Sequence, residues 1–590
     1  MIDNQPKLTA KTMNKNYRIS IVALQLGICI ALASGVNAQT IGDTDIEAYT
    51  LDGNIRLQTH AYTTSSEIQR REPFGGILEG NVQYSVLGFS SGLDIYYNTD
   101  DNRFRQNMNR IAFNGSWRWI ALSAGDVTPA YSQFGVRGTQ IRGGELRLTP
   151  GNIFLNLSFG RINRAVTEIE DDRPRQLAYE RWLYAFAFGA GNPSTNNFGL
   201  SGFYGRDLQS SFSDSLRASL REGLVGTQIL AAENYGLTPK FQLSFFDEAF
   251  KIGAETTVSA YTRDLNSPLL SVDEAGVPGF VVDLFSPRNS TRVTYAGKAH
   301  SMLNIDYFSM RAEFERIMPG FESIGLRQLR DDQQTISLQP RFNLLSGRLS
   351  IDGTLSLSED NLLGNRLSTQ KRNNIGVNTI ARVTDAFTLG GGYSRFEAYS
   401  VTSESESGQR DHEQISHIYQ LFPSLVIMGD GATHNITVSG IYQEIDVRYP
   451  TADGTMLDES HTITGTVSYA VSFTSGISVN SSMNYVTGES PGSTFTTIGA
   501  SLGGGYAFLE GRLNTNLTMT ANFNTVESES AFDTIVTENS QLNGSFTASY
   551  RVTSSTSFQL NLRTQNNSII QGDGQGFSEL EGRFQFQQRF

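Results

Sequence analysis

The chain has 590 residues, of which 38% are hydrophobic and 18% charged, with 57 glycines and 11% aromatic residues. So little apolar content argues against several buried cores. The sparse charge excludes a coiled coil or solvated tail, and the aromatic content excludes disorder. The net charge of −13 repels phosphate backbones, so no nucleic-acid partner is expected.

Residues 1–38 read as a cleaved secretory leader. Lys7, Lys11, Lys15 and Arg18 precede an apolar run from Ile19 to Ala33, and Val36-Asn37-Ala38 supplies small residues at −3 and −1. The cut is expected between Ala38 and Gln39, with the true start at Met1 or at Met13. The apolar run, at 15 residues, falls short of the roughly 20 that span a bilayer. Cys29, the one cysteine, lies in this leader, so the mature chain 39–590 has no thiol for a disulfide, a zinc site or a nucleophile. Losing the leader takes the net charge to −16.

Beyond Ala38 no apolar stretch reaches helical spanning length, so crossing a membrane requires a closed barrel that leaves no backbone group unpaired. Period-two patterning begins by Ile46. Arg137, Arg142, Arg147, Arg161 and Arg164 then crowd one stretch, followed by an acidic segment that includes Asp171 and Asp172. They are candidate lumen charges, with interfacial anchoring and interior salt bridges as the plainer readings. Trp182, Tyr184, Phe186 and Phe188 share a face opposite Arg181, Ala185, Ala187 and Gly189. In 213–230, Leu216, Leu220 and Leu224 sit near helical spacing after Ser213-Asp214. This is a candidate lumen loop, or simply an ordered surface loop. The 265–297 segment, with Phe280 and Phe285, is too apolar for a solvated tip.

Further on, Ile336, Leu338 and Phe342 alternate with Ser337, Gln339 and Arg341; Ile463, Val467, Tyr469 and Phe473 alternate with threonines and serines. Leu513, Leu517, Met519 and Phe523 alternate with Asn514, Asn516, Thr518 and Asn522. One face is lipid-like and the other rich in amides and hydroxyls, as strands of a membrane barrel require. Ser346-Gly347, Thr384-Asp385-Ala386, Thr474-Ser475-Gly476 and Glu510-Gly511 fit tight turns; polar segments such as 402–414, 449–460 and 524–537 fit loops. His412-Glu413-Gln414-Ile415-Ser416-His417 has one residue too many for a helical zinc motif and reads as solvated loop. Gly503-Gly504-Gly505 lacks the lysine of a phosphate loop and fits a crowded strand. The acidic pairs Asp100-Asp101, Asp171-Asp172 and Asp331-Asp332 read as solvated tips without calcium-loop spacing. At the end, Leu580, Gly582, Phe584, Phe586 and Phe590 oppose Glu581, Arg583, Gln585 and Arg589.

This alternation, ending on an aromatic, resembles the carboxy-terminal signal of Gram-negative outer-membrane barrels, which implies recognition of Phe584, Phe586 and Phe590 by the barrel-insertion machinery. Gln588 departs from the pattern. Several segments are also similar to large outer-membrane barrels of Bacteroidota that have no assigned activity. They are Gly125-Asp126-Val127-Thr128-Pro129-Ala130-Tyr131-Ser132, Arg142-Gly143-Gly144, Ala260-Tyr261-Thr262-Arg263-Asp264 and Arg316-Ile317-Met318-Pro319-Gly320-Phe321-Glu322-Ser323-Ile324-Gly325.

The expected fold is all-β, a single transmembrane antiparallel barrel over 39–590 with about 24 strands (range 22–26), short periplasmic turns and long extracellular loops. The expected location is the Gram-negative outer membrane, in contact with its lipid and lipopolysaccharide. The leading function is a channel for polar solutes, with no cofactor and no metal. The alternative is a translocation or anchoring barrel for a secreted or surface polypeptide, plugged at rest by a loop or a periplasmic or surface protein. A rim-sited enzyme is a third class, for which no nucleophile and base stand out.

Overall fold

The computed structural model describes residues 49–590 apart from 68–69, 87, 100–108, 168–176, 193–194, 222–228, 271–285, 403–409, 452–453, 530–532 and 573. The leader, Ala38 and Gln39, and the later positions Asp171, Asp172 and Leu224 lie outside the described residues.

Twenty-six strands form one antiparallel sheet, each paired with its neighbours in the chain, and the first pairs with the last. We number them β1 (Tyr49–Thr64) to β26 (Phe577–Arg589) in chain order. The seam between β1 and β26 runs from Asn54 opposite Arg589 to Thr64 opposite Glu579. A closed ring has no edge, so every ladder group can find a partner without water. The count is two above the expected 24. Strands also run further than expected: β19 (Ala432–Thr451) and β20 (Gly454–Phe473) take up most of the expected loop 449–460.

The two ends differ. The turns that join even to odd strands have two to five residues, and Ser346-Gly347, Thr384-Asp385-Ala386, Thr474-Ser475-Gly476 and Glu510-Gly511 fall there. The connections from odd to even strands are as long as the 28 residues of 263–290. We call these the turn end and the loop end; β1 starts and β26 finishes at the turn end.

Strand length varies around the ring. β4 (Arg110–Trp117), β5 (Ile120–Val127) and β6 (Ile141–Leu148) have 8 residues each, close to what a tilted strand needs to cross a bilayer. β19 and β20 have 20. Their surplus of about ten residues carries that wall roughly 25 Å beyond the apolar band at the loop end. His412–His417 lies within β18 (Arg410–Met428) and not in a loop.

The alternation read from sequence sets the two faces. Tyr184, Phe186 and Phe188 are exposed on the outside of β8 (Glu180–Gly191), while Leu183, Ala185 and Ala187 are buried on its inside. On β23 (Leu513–Glu529), Leu517, Met519 and Phe523 face out, and Asn516, Thr518 and Asn522 face the lumen. The triple glycine lies in β22 (Ser493–Phe508), where a Cβ on Gly503 would stand 2.5 Å from Asn480 Oδ1 and 2.9 Å from Thr518 Oγ1. Crowding of lumen amides explains that glycine. An arginine at Leu517 should cost about 2–4 kcal/mol of folding free energy in a bilayer, and one at the neighbouring lumenal Asn516 much less. Denaturant titration in lipid vesicles measures both.

Candidate functional site

At a strand spacing of about 4.8 Å and a tilt of about 40°, a ring of 26 strands has a diameter of roughly 50 Å. Wall side chains cannot fill that width, so what occupies the lumen decides what the barrel can do.

The loop after β5, residues 128–140, turns inward. Its tight fold is made locally: Gly135 and Val136 N–H groups donate to Ser132 Oγ at 3.0 and 3.3 Å, and Tyr131 N–H donates to Val136 O at 2.9 Å. Gly135 is required here, because a Cβ would sit 2.3 Å from Ser132 Oγ. The loop then seats on the inner wall. Tyr131 and Val136 pack on Leu183, Ala185, Ala187 and Phe203, and Phe134 packs among Ala296, Ile317 and Phe321. Phe134 is only 1% exposed.

Polar anchors fix its register. Gln133 N–H donates to Glu255 Oε1 at 2.6 Å, Gln133 Nε2 to Glu315 Oε2 at 3.0 Å, and Lys240 Nζ to Tyr131 O at 2.8 Å. Tyr131 Oη donates to Glu145 Oε1 at 3.1 Å, and burial pushes the pKa of this phenol up, keeping it neutral. Lys240, Glu255 and Glu315 come from β10 (Glu233–Phe245), β11 (Phe250–Thr262) and β13 (Phe308–Ile317).

A second connection, residues 318–332, locks the first. Ser323 Oγ donates to Gly135 O at 2.6 Å, Arg137 N–H to Gly325 O at 3.1 Å, and Thr139 Oγ1 to Gly325 O at 2.8 Å. Ile324 N–H reaches Asn234 Oδ1 at 3.0 Å, and Ser259 Oγ reaches Glu322 O at 2.6 Å. Thus the segments 125–132 and 316–325, which carry the resemblance to large barrels, meet each other inside the ring. Asp332 is not a solvated acidic tip. It is 1% exposed, bonded to Arg366 at 2.8 Å and to the Leu362 N–H at 2.9 Å.

The loop pair covers one side only. Beyond Asn361, the buried non-glycine residues among those described are Glu397, Glu413, Ile415, Ser416 and Val471. The lumenal face from β21 (Ile477–Ser490) to β24 (Thr534–Arg551) is instead a bare lattice of neutral groups. Thr497 Oγ1 donates to Asn524 Oδ1 and Asn524 Nδ2 to Asn539 Oδ1, both at 2.8 Å, and Ser482 and Ser501 share a bond of 2.7 Å. The covered side carries charge, with Lys298 and Glu313 at 3.2 Å, and the ion pairs Arg56–Glu79 and Arg341–Asp352 lie on the walls flanking it. One lumen therefore has a covered, charged side and, at β21–β24, an open neutral stretch.

The five arginines singled out by sequence part company. Arg147 follows the lumenal register and pairs with Glu145 at 2.9 Å. Arg137 is exposed on the inward loop. Arg142, Arg161 and Arg164 converge at the loop end, as described below. Helix α1 (Asp214–Arg221) places Leu220 and Leu216 against Leu177, Tyr179, Phe212, Ala231 and Leu265, so its apolar side packs on neighbouring loops. Phe584 and Phe586 lie in the seam-forming β26, paired with Leu560 and Phe558, and Phe590 caps it beside Gly53. Among the described residues no three metal-ligating side chains gather. Sequence reading missed Gln133, Phe134, Lys240, Glu255 and Glu315; the available hint was apolar Phe134 and Val136 held between Pro129 and Gly138.

No family model matches the chain, and no curated protein matches its sequence. Among solved structures it is similar to the siderophore receptor PirA of Acinetobacter baumannii, at 9% identity and a TM-score of 0.38, over 92% of this chain and 80% of that one. It is also similar to OccAB2 of the same species (8%, TM-score 0.29, covering 61% and 93%) and to OccK8 of Pseudomonas aeruginosa (11%, TM-score 0.27, covering 61% and 93%). The molecule's own features are those of a Gram-negative outer-membrane barrel: an even number of antiparallel strands, apolar outside, polar inside, with short turns at one end.

Proposed function

We propose that the barrel is a channel that passes polar solutes across the outer membrane, with the turn end in the periplasm and the loop end outside. The observation that carries this reading is the one-sided cover of the lumen. The loop pair 128–140 and 318–332 is fixed to β8–β13, and the facing wall keeps its amides and hydroxyls open to water. A polypeptide plug would be expected to meet complementary apolar groups, and the lumenal face of β21–β24 presents amides and hydroxyls instead.

Transport then needs no moving part. A hydrated solute exchanges water for lumen amides and hydroxyls, which bind weakly enough to release it. Charged residues on the narrowed side and neutral groups opposite set a field across the path, which orients dipolar solutes. The resemblance to large Bacteroidota barrels supports the fold and location of this reading. Liposomes carrying the folded protein should swell in neutral sugars, faster for mono- than for tetrasaccharides. No swelling above protein-free vesicles would contradict the channel.

A further inference from the structure

At the loop end, between the ends of β6, β7 (Ile153–Asn163) and β8 and the inward loop pair, lies a cavity of about 430 Å³. Five arginines line it: Arg142, Arg161, Arg164, Arg181 and Arg327; among the described residues Asp126 is the one acidic group in the lining. Like charges on this scale repel, so their convergence needs a structural cause and, in the cell, a counter-charge.

The cause is local backbone geometry. Gly125 has φ +99 and Gly160 φ +149, and a Cβ on Gly143 would stand 2.0 Å from Phe159 O, so these strands approach more closely than side chains allow. An irregularity in the pairing between Arg161 and Asn163 re-aims the end of β7. Together they bring Arg142 and Arg161, which share the lipid-side register, to the same cavity as Arg181, which is on the lumenal register.

Carboxylates behind the cavity orient the arginines without cancelling them. Asp126 takes Arg142 Nε and Nη2 at 2.9 and 2.8 Å, Asp207 takes Arg181 Nε and Nη2 at 2.6 and 2.8 Å, and Glu180 takes Arg161 Nη1 at 3.3 Å. Asp207 is 2% exposed and is held further by the Ala232 N–H. Glu322 lies near Arg181 and Tyr261. Among the described residues these four carboxylates stand against five guanidinium groups, and Arg327 has no ion pair among them. A guanidinium has five N–H donors, of which Asp207 uses two on Arg181, so donors remain for a ligand.

We propose that this cavity binds an anion bearing carboxylate or phosphate groups, held by charge-assisted hydrogen bonds from Arg161, Arg164, Arg181 and Arg327. Guanidinium groups fixed by buried partners are pre-organised for such oxygens, which they grip in pairs. The site stands at the mouth of the lumen, so its ligand is either a small anionic solute or the phosphate of a lipid headgroup. Anion binding here does not require that the barrel conduct.

The test is calorimetric titration of the full, detergent-folded chain with citrate and with inorganic phosphate, at low and at physiological salt. The double variant Arg161→Gln/Arg327→Gln is compared with Arg341→Gln, which removes a charge elsewhere on the inner wall. Citrate or phosphate binding that weakens with salt and falls about tenfold or more in the double variant, but not in Arg341→Gln, is the expected result. A parallel pull-down with lipopolysaccharide separates the sources. Retention of lipopolysaccharide by the parent but not by the double variant, with no citrate or phosphate heat, supports the anion site with a lipid phosphate as ligand. Absence of all three interactions in the parent, or equal binding by the folded double variant, overturns the proposal. A silent barrel that binds citrate would leave this site standing and remove the channel, and a conducting barrel that binds none of the three would do the reverse.

Discussion

Replacing Gly325 by valine is expected to give larger and noisier openings without unfolding the barrel. A Cβ at this position would stand 2.4 Å from Gly135 O and 2.8 Å from Val136 Cγ2, so the two inward loops cannot keep their contact. Three hydrogen bonds depend on that contact: Ser323 to Gly135 O, and Arg137 and Thr139 to Gly325 O. At about 1 kcal/mol net each, their loss weakens the contact by about 3 kcal/mol and leaves the Phe134–Phe321 packing to hold it. The wall itself is untouched, since neither loop contributes to a strand. Displacing the pair widens the path, so the conductance rises. Ser323→Ala, which removes one bond and adds no bulk, should give a smaller change of the same sign. Single-channel recording reads the effect, and heat-modifiable migration on gels checks the fold. A folded Gly325→Val barrel with parent-like current would mean that the loop pair does not bound the path.

Deleting Phe590 should have the largest effect on assembly. Gly53 N–H donates to Phe590 O at 2.8 Å and Phe590 N–H to Gly53 O at 3.1 Å, which ties the chain end to the start of β1. The Phe590 ring lies over Gly53, 2.5 Å from where a Cβ would stand. Two hydrogen bonds and part of a ring amount to about 2–3 kcal/mol, a factor of roughly 30 to 160 in the folded-to-unfolded ratio. Gly53→Leu should lose a similar amount by displacing the ring. Gly440→Ala should lose far less, because its Cβ direction is open. Urea titration of refolding into short-chain lipid vesicles measures all three. Because these variants act at the seam, they would depress folding even in the absence of any insertion machinery.

The wall was legible because period two is written in it residue by residue. Leu517, Met519 and Phe523 needed only their neighbours Asn516, Thr518 and Asn522 to declare a lipid face and a wet face. Strand boundaries were harder to read where that contrast fades. At the loop-end extensions of β19 and β20, the segment 449–460 has the composition of a loop while keeping strand hydrogen bonds. The lumen was less legible still. Inward folding of 128–140 depends on partners far along the chain, Glu255, Glu315 and Gly325, and no local period announces such contacts. The more leucine-rich segment 213–230 was the stronger lumen candidate, yet α1 spends its apolar side on adjacent loops. The arginines were read together as candidate lumen charges, and strand register divides them. Arg147 stands in the lumen, while glycine kinks and an irregular pairing carry Arg142 and Arg161 to the mouth.

Single-channel recording of the purified, folded chain in a planar bilayer tests the open lumen most directly. Stable, large unitary currents from the protein alone, with no partner added and no loop removed, are the predicted result. A barrel that inserts and shows its folded mobility yet passes no current would contradict it, and would favour a lumen sealed at rest for a polypeptide.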